Sequence, residues 1–273
     1  MHALRELGRR SGRASDGRSG RQLGRDTWLT FERALGQTIR NPVWVFVMMA
    51  QPLFYLVLFG PLLERVTAAD GFPAGGAYNV FVPGLLVQLA LFGTAFVGFS
   101  LVAELRYGVI ERLQVTPISR VALLLGRAGR DLVVLLVQVL LLVLVALPFG
   151  LDLDPGGVAL AVALLLAMGL AFSAISYTLA LVLRSEDALA PLLNSVALPV
   201  VLLSGVLLPL SLAPTWLQRL ADVNPLRHIV DATRSLFNGE VDASAVSRGT
   251  LAALVLAVVT VAIAARRFRR SVA

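Results

Sequence analysis

Long apolar runs alternate with short charged segments along almost the whole chain. Six stretches without Asp, Glu, Lys or Arg approach or exceed the ~20 residues that a helix needs to cross ~30 Å of hydrocarbon. They are residues 43–63, 80–103, 132–151, 158–183, 188–210 and 249–265. The pattern predicts an all-α integral membrane fold with six transmembrane helices in the domain 43–265, the last of them short.

The composition agrees with a chain that is apolar on its outside as well as in its core. Hydrophobic residues make up 57% of the 273 residues, charged residues make up 15%, and the mean hydropathy is +0.80. A soluble domain carries about 25% charged residues. Helices that face lipid account for this composition, whereas one large soluble core does not.

The arginines are divided unevenly between the two sides that six spans would define. Nineteen of the 24 basic residues fall in residues 1–42, 104–131, 184–187 and 266–273. Because positive charge accumulates in cytoplasmic loops, we expect a multi-pass protein of the plasma (inner) membrane with both termini cytoplasmic. Residues 1–25 lack an apolar run, so we expect a disordered basic tail without a signal peptide, and a second basic tail at 266–273.

Two polar segments on the arginine-rich side have amphipathic patterns. Residues 26–42 place Trp28, Phe31 and Leu35 at helical spacing, which predicts an interfacial helix lying on the cytoplasmic membrane surface. Residues 104–115 repeat apolar positions every four residues between charges, which predicts a short cytoplasmic helix. From this pattern alone, the second helix is equally a structural elbow or a docking surface for a cytoplasmic partner.

The segment between the fifth and sixth predicted spans is too long for a simple loop. Residues 209–246 contain three prolines and an amphipathic stretch from Leu226 to Phe237. Irregular backbone at membrane depth must be shielded by protein, so we expect short helices that re-enter the outer leaflet. One face of these helices would carry Ile229, Val230, Thr233, Leu236 and Phe237.

Missing residue types exclude several kinds of chemistry. The chain has no cysteine, no lysine and only two histidines, His2 and His228. Thiolate chemistry, disulfides and a histidine metal cluster are therefore excluded. A P-loop requires its lysine to reach the β- and γ-phosphates, so the chain is not expected to hydrolyse ATP or to hold a cofactor by itself.

Two motifs resemble the membrane subunits of type-2 ABC exporters, and most closely the daunorubicin-resistance permease family. The first comprises Glu104, Gly108, Glu111-Arg112 and Pro117-Ile-Ser-Arg120, followed by Gly126-Arg127 and Asp131. The second comprises Ser204-Gly205 to Pro209, Pro214-Thr-Trp216-Leu217, Asn224-Pro225-Leu226, Val230, Ala232, Arg234 and Gly239. The order of elements over residues 25–270 also matches. The chain departs from many such permeases at Arg106, where they carry a second acidic residue.

The resemblance implies a permease subunit that works with a separate cytoplasmic ABC ATPase. It implies a homodimer, or a pair with a relative, carrying two ATPases that bind ATP and Mg²⁺, surrounded by membrane lipids and without nucleic acid. The residues that would couple to the ATPase are Glu104, Gly108, Glu111, Arg112, Pro117, Arg120 and Glu186. The residues that would shape the external re-entrant segment are Pro209, Pro214, Trp216, Asn224, Pro225 and Arg234, with Arg234 paired to Asp231 or Asp222.

The sequence says less about a substrate path. Polar and aromatic residues within the predicted spans are candidates, and they include Gln51, Phe92, Phe96, Tyr177 and Asn194. Ordinary hydrogen bonds between helices and packing against lipid explain the same residues. A hydrophobic or amphipathic compound, such as an antibiotic or a drug-like natural product, fits the resemblance. Lipids and lipid-linked glycans are the alternative.

Other functional classes lack the residues that they need. The six predicted spans contain no ionisable residue of the kind that ion-coupled transporters place in the membrane. They also contain no paired aspartates for an intramembrane hydrolase and no recognisable ion filter. A membrane protein that is not coupled to ATP, including an assembly subunit, stays possible because it needs no special residues.

Overall fold

We describe the chain from a computed structural model, over residues 3–62, 76–108, 119–151, 153–206, 210, 213–239 and 242–271. Within these ranges the chain forms helices and no strand, which confirms the all-α class. The helices are α1 (Ala3–Arg40), α2 (Val43–Phe54, continued by a π-helical turn Tyr55–Phe59), α3 (Gly76–Ala95), α4 (Gly98–Arg106), α5 (Arg120–Ala146, followed by a 3₁₀ turn Leu147–Phe149), α6 (Pro155–Leu183), α7 (Glu186–Leu202), α8 (Thr215–Asp222), α9 (Pro225–Phe237) and α10 (Ala243–Ser271).

Five helical segments in the described residues are long and apolar enough to cross a membrane. They are Val43–Leu62, Ala77–Arg106, Val121–Phe149, Pro155–Leu183 and Ala243–Phe268. The last has 26 residues, so it is longer than the 17 charge-free residues predicted for the final span. Charged residues at a helix end do not stop the helix, and the structural spans therefore extend into the flanking charges.

The predicted span 188–210 does not appear as a full-length helix. Helix α7 has 17 residues, which is about 25 Å at 1.5 Å per residue and shorter than the ~30 Å core. The chain turns after Leu202, and Gly205 has a left-handed φ of 73°. A six-span count is therefore not confirmed. The turn after α7 meets α3 at Gly84, where an added Cβ would lie 2.2 Å from the carbonyl oxygen of Val206.

The helix pair α3–α4 is interrupted between Ala95 and Gly98. The hydroxyl of Ser176, on α6, accepts a 2.8 Å hydrogen bond from the Gly98 amide and donates one to the Ala95 carbonyl. An added Cβ on Gly98 would lie 2.6 Å from Ser176, so the close approach requires glycine. One side chain of α6 thus satisfies both backbone groups that the interruption releases.

Helix α1 packs along α5 through small residues. A Cβ on Gly126 would lie 2.6 Å from Thr30 and 2.8 Å from the Thr27 carbonyl oxygen. Helix α1 runs from Ala3 to Arg40, so most of the interfacial segment predicted for residues 26–42 lies in its second half. The disordered tail predicted for residues 1–25 stays a prediction.

The segment after α7 folds into two short helices, of which α9 packs into the bundle and α8 lies against α9 with Ala221 as its buried residue. The predicted apolar face of α9 is buried at Ile229, Val230, Thr233, Leu236 and Phe237. Glycines on neighbouring helices let α9 approach closely. A Cβ on Gly157 of α6 would lie 2.0 Å from the Leu236 carbonyl oxygen, and one on Gly249 of α10 would lie 2.5 Å from that of His228.

Candidate functional site

Five side chains form a buried charged cluster where the arginine-rich ends of α4, α5 and α6 meet. We define this charged cluster as Glu104, Arg127, Arg130, Asp131 and Tyr177. Arg127 and Asp131 are only 7% and 4% exposed. Charged groups at such depth are costly unless each finds a partner, so the partners decide what the cluster does.

Each charge in the charged cluster has an opposite charge within reach. Arg127 of α5 donates a hydrogen bond to the carboxylate of Glu104 of α4. Nε of Arg130 lies 2.9 Å from Oδ1 of Asp131, and its Nη1 donates a 3.1 Å hydrogen bond to Thr38 of α1. The cluster therefore joins α4 to α5 through an ion pair and α5 to α1 through a hydrogen bond.

Tyr177 connects the cluster to α6. Its ring is 0% exposed and its hydroxyl donates a hydrogen bond to Oδ2 of Asp131. The sequence suggested Tyr177 as part of a substrate path. In the structure its polar atom is directed at a neighbouring helix, which matches the alternative explanation, a hydrogen bond between helices.

Sequence reasoning missed the charged cluster because it ended the spans at the charges. The structural spans Ala77–Arg106 and Val121–Phe149 include Glu104, Arg127, Arg130 and Asp131. The statement that the spans hold no ionisable residue is therefore wrong for the structure. The available signal was the spacing of Arg127, Arg130 and Asp131, since i, i+3 and i+4 positions share one face of a helix.

A cavity of about 430 Å³ opens beside the charged cluster, between α1 and the bundle. We call it the α1 cavity. Its charged lining residues are Arg33, Glu104, Arg127, Arg130 and Asp131. Its apolar and amide lining includes Leu29, Trp44, Val45, Met48, Gly93, Val97, Val134, Leu135 and Gln138. The cavity is thus charged at one end and mostly apolar along the rest.

Three of the residues suggested to couple to an ATPase are fully described by the structure: Glu104, Gly108 and Glu186. Glu104 is paired with Arg127, as described. Gly108 has a φ of 65° and its amide donates to the Leu105 carbonyl, so it ends α4. Glu186 is half-buried in the first turn of α7. Arg120 begins α5, and Glu111, Arg112 and Pro117 lie outside the described residues.

Ser119, just before α5, lies directly against α1. The Ser119 amide donates a 3.2 Å hydrogen bond to Oδ2 of Asp26. Asp26 thereby satisfies one of the backbone amides that have no acceptor within the helix at the start of α5. Gly108 and Ser119, the described residues on either side of the segment 109–118, therefore lie near the charged cluster and against α1.

Arg234 organises the opposite end of the bundle. It donates hydrogen bonds to the carbonyl oxygens of Val80 at 3.0 Å, Gly205 at 2.8 Å and Val206 at 3.2 Å. Burial lowers the pKa of Arg234 to about 10, opposed by the charge of Asp231. The guanidinium therefore stays charged at neutral pH. Its hydrogen bonds join α9 to α3 and to the turn after α7.

The expected ion pair of Arg234 with Asp231 or Asp222 is not what the structure shows. Arg227 is the partner of both acids, through Nη1 to Asp222 at 2.5 Å and Nε to Asp231 at 3.7 Å. Arg227 lies near the start of α9, within reach of Asp222 at the end of α8 and of Asp231 one turn further along α9. Arg234 points instead towards α3 and the turn after α7, where its hydrogen-bond acceptors are backbone carbonyl oxygens.

The remaining external residues divide into caps and exposed positions. The Asn224 side chain accepts a 3.0 Å hydrogen bond from the Leu226 amide and donates a 2.7 Å bond to the Val200 carbonyl. Pro225 is the first residue of α9, where its missing amide hydrogen costs nothing. Pro214 and Trp216 are exposed, and Pro209 lies outside the described residues.

The suggested path residues do not form one polar surface within this chain. Phe92 and Phe96 are half-buried and stack with ring centroids 6.1 Å apart. The exposed side chains of Gln51 and Asn194 hydrogen-bond within their own helices, to Tyr55 at 3.5 Å and to the Ala190 carbonyl at 3.1 Å. In the described residues we also find no group of three or more His, Asp or Glu side chains that could hold a metal ion.

Comparison with known proteins gives one family. The model of the ABC-2 type transporter family matches residues 25–238. This range contains α1 from Arg25, the charged cluster and the α8–α9 segment. The first motif lies within the matched region, and so does the second as far as Arg234.

Named relatives share about a quarter of their residues with this chain. The ycf38 transport permease of Cyanophora paradoxa is 27% identical over 215 residues, which cover 78% of this chain and 74% of the relative. The daunorubicin resistance ABC transporter permease DrrB1 of Streptomyces coeruleorubidus is 26% identical, covering 72% and 70%. The doxorubicin resistance ABC transporter permease DrrC of Mycobacterium tuberculosis is 26% identical, covering 78% and 77%.

Proposed function

The chain belongs to the ABC-2 type transporter family and is a multi-pass membrane subunit of an ABC exporter, and from that premise we propose that it exports a hydrophobic or amphipathic natural product. The family match over residues 25–238 supports the role as an exporter subunit, and the names of two relatives support the substrate class. A permease of this family works with an ABC ATPase subunit. The absence of lysine, and with it of a P-loop, agrees with ATP hydrolysis in that partner.

We propose that residues 104–120 receive the movement of the ATPase. Helix α4 leads from the Glu104–Arg127 ion pair to Gly108, and Ser119 returns against Asp26 of α1. A displacement of the segment between them would therefore act directly on α1, α4 and α5. Glu111, Arg112 and Pro117 would contact the ATPase, and Arg120 and Glu186 would extend the contact surface.

The substrate class rests on the chemistry of the spans and on the relatives. Two of the relatives are named for resistance to daunorubicin and doxorubicin. The stacked rings of Phe92, Phe96 and Phe99 provide a flat apolar surface at the level of the α3–α4 interruption. The alternative is export of a lipid or a lipid-linked glycan, and the substrate assay must distinguish it from export of a natural product.

The assembly follows from the same reasoning. We propose a homodimer of this permease with two ATPase subunits in the plasma (inner) membrane. Both termini would be cytoplasmic, because most arginines lie on the side that also carries the charged cluster. The Arg234 end of the bundle would then face outwards.

The test is co-purification with an ABC ATPase encoded beside this chain. We expect an affinity tag on the permease to retain the ATPase and vanadate-sensitive ATP hydrolysis. Glu111→Arg reverses a charge on the proposed contact surface, and the predicted result is loss of both. Glu240→Arg makes the same substitution in the predicted external segment and should leave both intact.

The substrate is tested with the same complex in vesicles. ATP-dependent accumulation of an anthracycline, measured by fluorescence, supports the natural-product class, whereas transfer of a labelled lipid without drug transport supports the alternative. If the permease is stable but retains no ATPase from membranes that contain it, coupling to ATP is contradicted. An unchanged complex with Glu111→Arg would contradict only the proposed contact surface.

A further inference from the structure

The α1 cavity has the shape of a site for an amphipathic molecule. Its charged end holds Arg33, Glu104, Arg127, Arg130 and Asp131, and its other end reaches Gln138. Arg127 and Gln138 lie eleven residues apart on the continuous helix α5, which corresponds to about 16 Å at 1.5 Å per residue. That distance matches about half of a ~30 Å hydrocarbon core, which is the depth of one leaflet.

The cavity opens beside exposed apolar residues. Leu29 and Trp44 line it and are 51% and 59% exposed. Tryptophan is favoured at the level of lipid headgroups. A lipid of the surrounding leaflet can therefore enter sideways, with its headgroup at the charged end and one chain along the apolar wall.

The charges in the cavity favour an anionic headgroup. Three arginines face two carboxylates, and each carboxylate already has an arginine partner in Arg127 or Arg130. Each guanidinium has five N–H donors, so donors remain after the ion pairs are made. Arg33 is exposed at the cavity and adds the excess positive charge. Arginine also suits the geometry of phosphate oxygens.

We propose that the α1 cavity binds one anionic phospholipid from the leaflet at the arginine-rich end. The phosphate lies against Arg33 and the remaining N–H donors of Arg127 and Arg130, and one acyl chain fills the space beside Gly93. Bound in this way, the lipid joins α1 to α5 next to the charged cluster. This inference goes beyond the proposed export function and does not depend on an ATPase.

Binding is measured by native mass spectrometry of the full chain in detergent. The probes are phosphatidylglycerol, phosphatidylcholine with the same acyl chains, and inorganic phosphate. We expect phosphatidylglycerol to be retained roughly tenfold more strongly than phosphatidylcholine, because both lipids carry the phosphate but only phosphatidylcholine adds a choline cation, which the excess positive charge at Arg33 repels. Inorganic phosphate alone is expected to bind weakly and not to displace the lipid, because it makes no contact with the apolar wall.

Substitutions at Arg33 and at Gly93 test the headgroup contacts and the acyl-chain contacts separately. Arg33→Gln should remove most of the preference for phosphatidylglycerol, whereas Arg25→Gln, on the same helix outside the cavity lining, should keep it. Gly93→Leu should reduce retention of both lipids by filling the apolar end. A Cβ on Gly93 meets only Gln138, at 3.4 Å, and Gly93→Ala provides a smaller change if the leucine variant does not fold.

Three results would overturn the proposal. Equal retention of the two lipids would contradict the preference for an anionic headgroup. Unchanged retention in a folded Gly93→Leu or Gly93→Ala protein would place the bound lipid elsewhere. Displacement of phosphatidylglycerol by inorganic phosphate at equal concentration would make the cavity a site for free anions and not for a lipid.

Discussion

Nη2 of Arg234 donates a 2.8 Å hydrogen bond to the carbonyl oxygen of Gly205, 29 residues earlier in the chain. Gly205 stands in the turn after α7, where its φ of 73° leaves the carbonyl without a helical partner. The same guanidinium also reaches Val80 and Val206. A single arginine thus holds α9 against α3 and against the turn after α7.

Replacing Arg234 should loosen this end of the bundle. Arg234→Ala removes the donor from the carbonyl oxygens of Gly205 and Val206, which lie in a turn, and each buried group left unsatisfied costs about 1–3 kcal/mol. We expect a clear fall in the melting temperature of the purified protein. Arg219→Ala, at an exposed position of α8, is the matched control and should have little effect. Equal melting temperatures for the two variants would contradict the role assigned to Arg234.

Neighbouring glycines at the start of α6 should respond differently to alanine. A Cβ on Gly157 would lie 2.0 Å from the Leu236 carbonyl oxygen, whereas the nearest atom to one on Gly156 is 3.5 Å away. Gly157→Ala should therefore destabilise the protein by about 1–3 kcal/mol through overpacking. Gly156→Ala should be neutral or slightly stabilising. Denaturant or thermal unfolding compares them, and the opposite order would show that α9 packs elsewhere.

The interruption between α3 and α4 should depend on one hydroxyl. Ser176→Ala leaves the Gly98 amide and the Ala95 carbonyl unpaired, at a cost of about 1–3 kcal/mol. Hydrogen exchange at Gly98 should rise as a result. Ser173→Ala removes a hydroxyl that bonds only the Leu170 carbonyl of its own helix, and exchange at Gly98 should not change. A slow Gly98 amide in Ser176→Ala would contradict this prediction.

The hydrogen bond between Tyr177 and Asp131 should appear as coupling between two substitutions. Tyr177→Phe removes the donor, and Asp131→Asn weakens the acceptor and disturbs the contact with Arg130. Contacting residues typically show a coupling of about 0.5–3 kcal/mol. The double variant should therefore be less destabilised than the sum of the single changes. Additive unfolding free energies would mean that the two side chains do not share a bond in solution.

The positions of the apolar helices could be read from local pattern. Charge-free runs located the cores of α2, α3, α5, α6 and α10, since a bilayer selects length and apolarity directly. The buried face of α9 was also predicted correctly from helical spacing. These features depend on residues within one or two helical turns of each other.

The ends of the helices could not be read from the same signal. The final span was predicted with 17 residues and has 26, and α5 begins at Arg120 instead of 132. In both cases the helix continues through charged residues. For α5 these charges find partners on other helices, such as Glu104 for Arg127, and a local pattern holds no information about those partners.

The sequence by itself determined that this protein is a bundle of membrane helices, which surfaces are amphipathic, and to which transporter family its motifs point. Only the tertiary structure decided which polar groups meet: Ser176 with Gly98, 78 residues apart, and Arg234 with Val80, 154 residues apart. The physical reason is that hydrophobic burial follows the local order of side chains, whereas a hydrogen bond or an ion pair needs two groups at contact distance. Contact distance between groups so far apart in the chain exists only once the helices have packed.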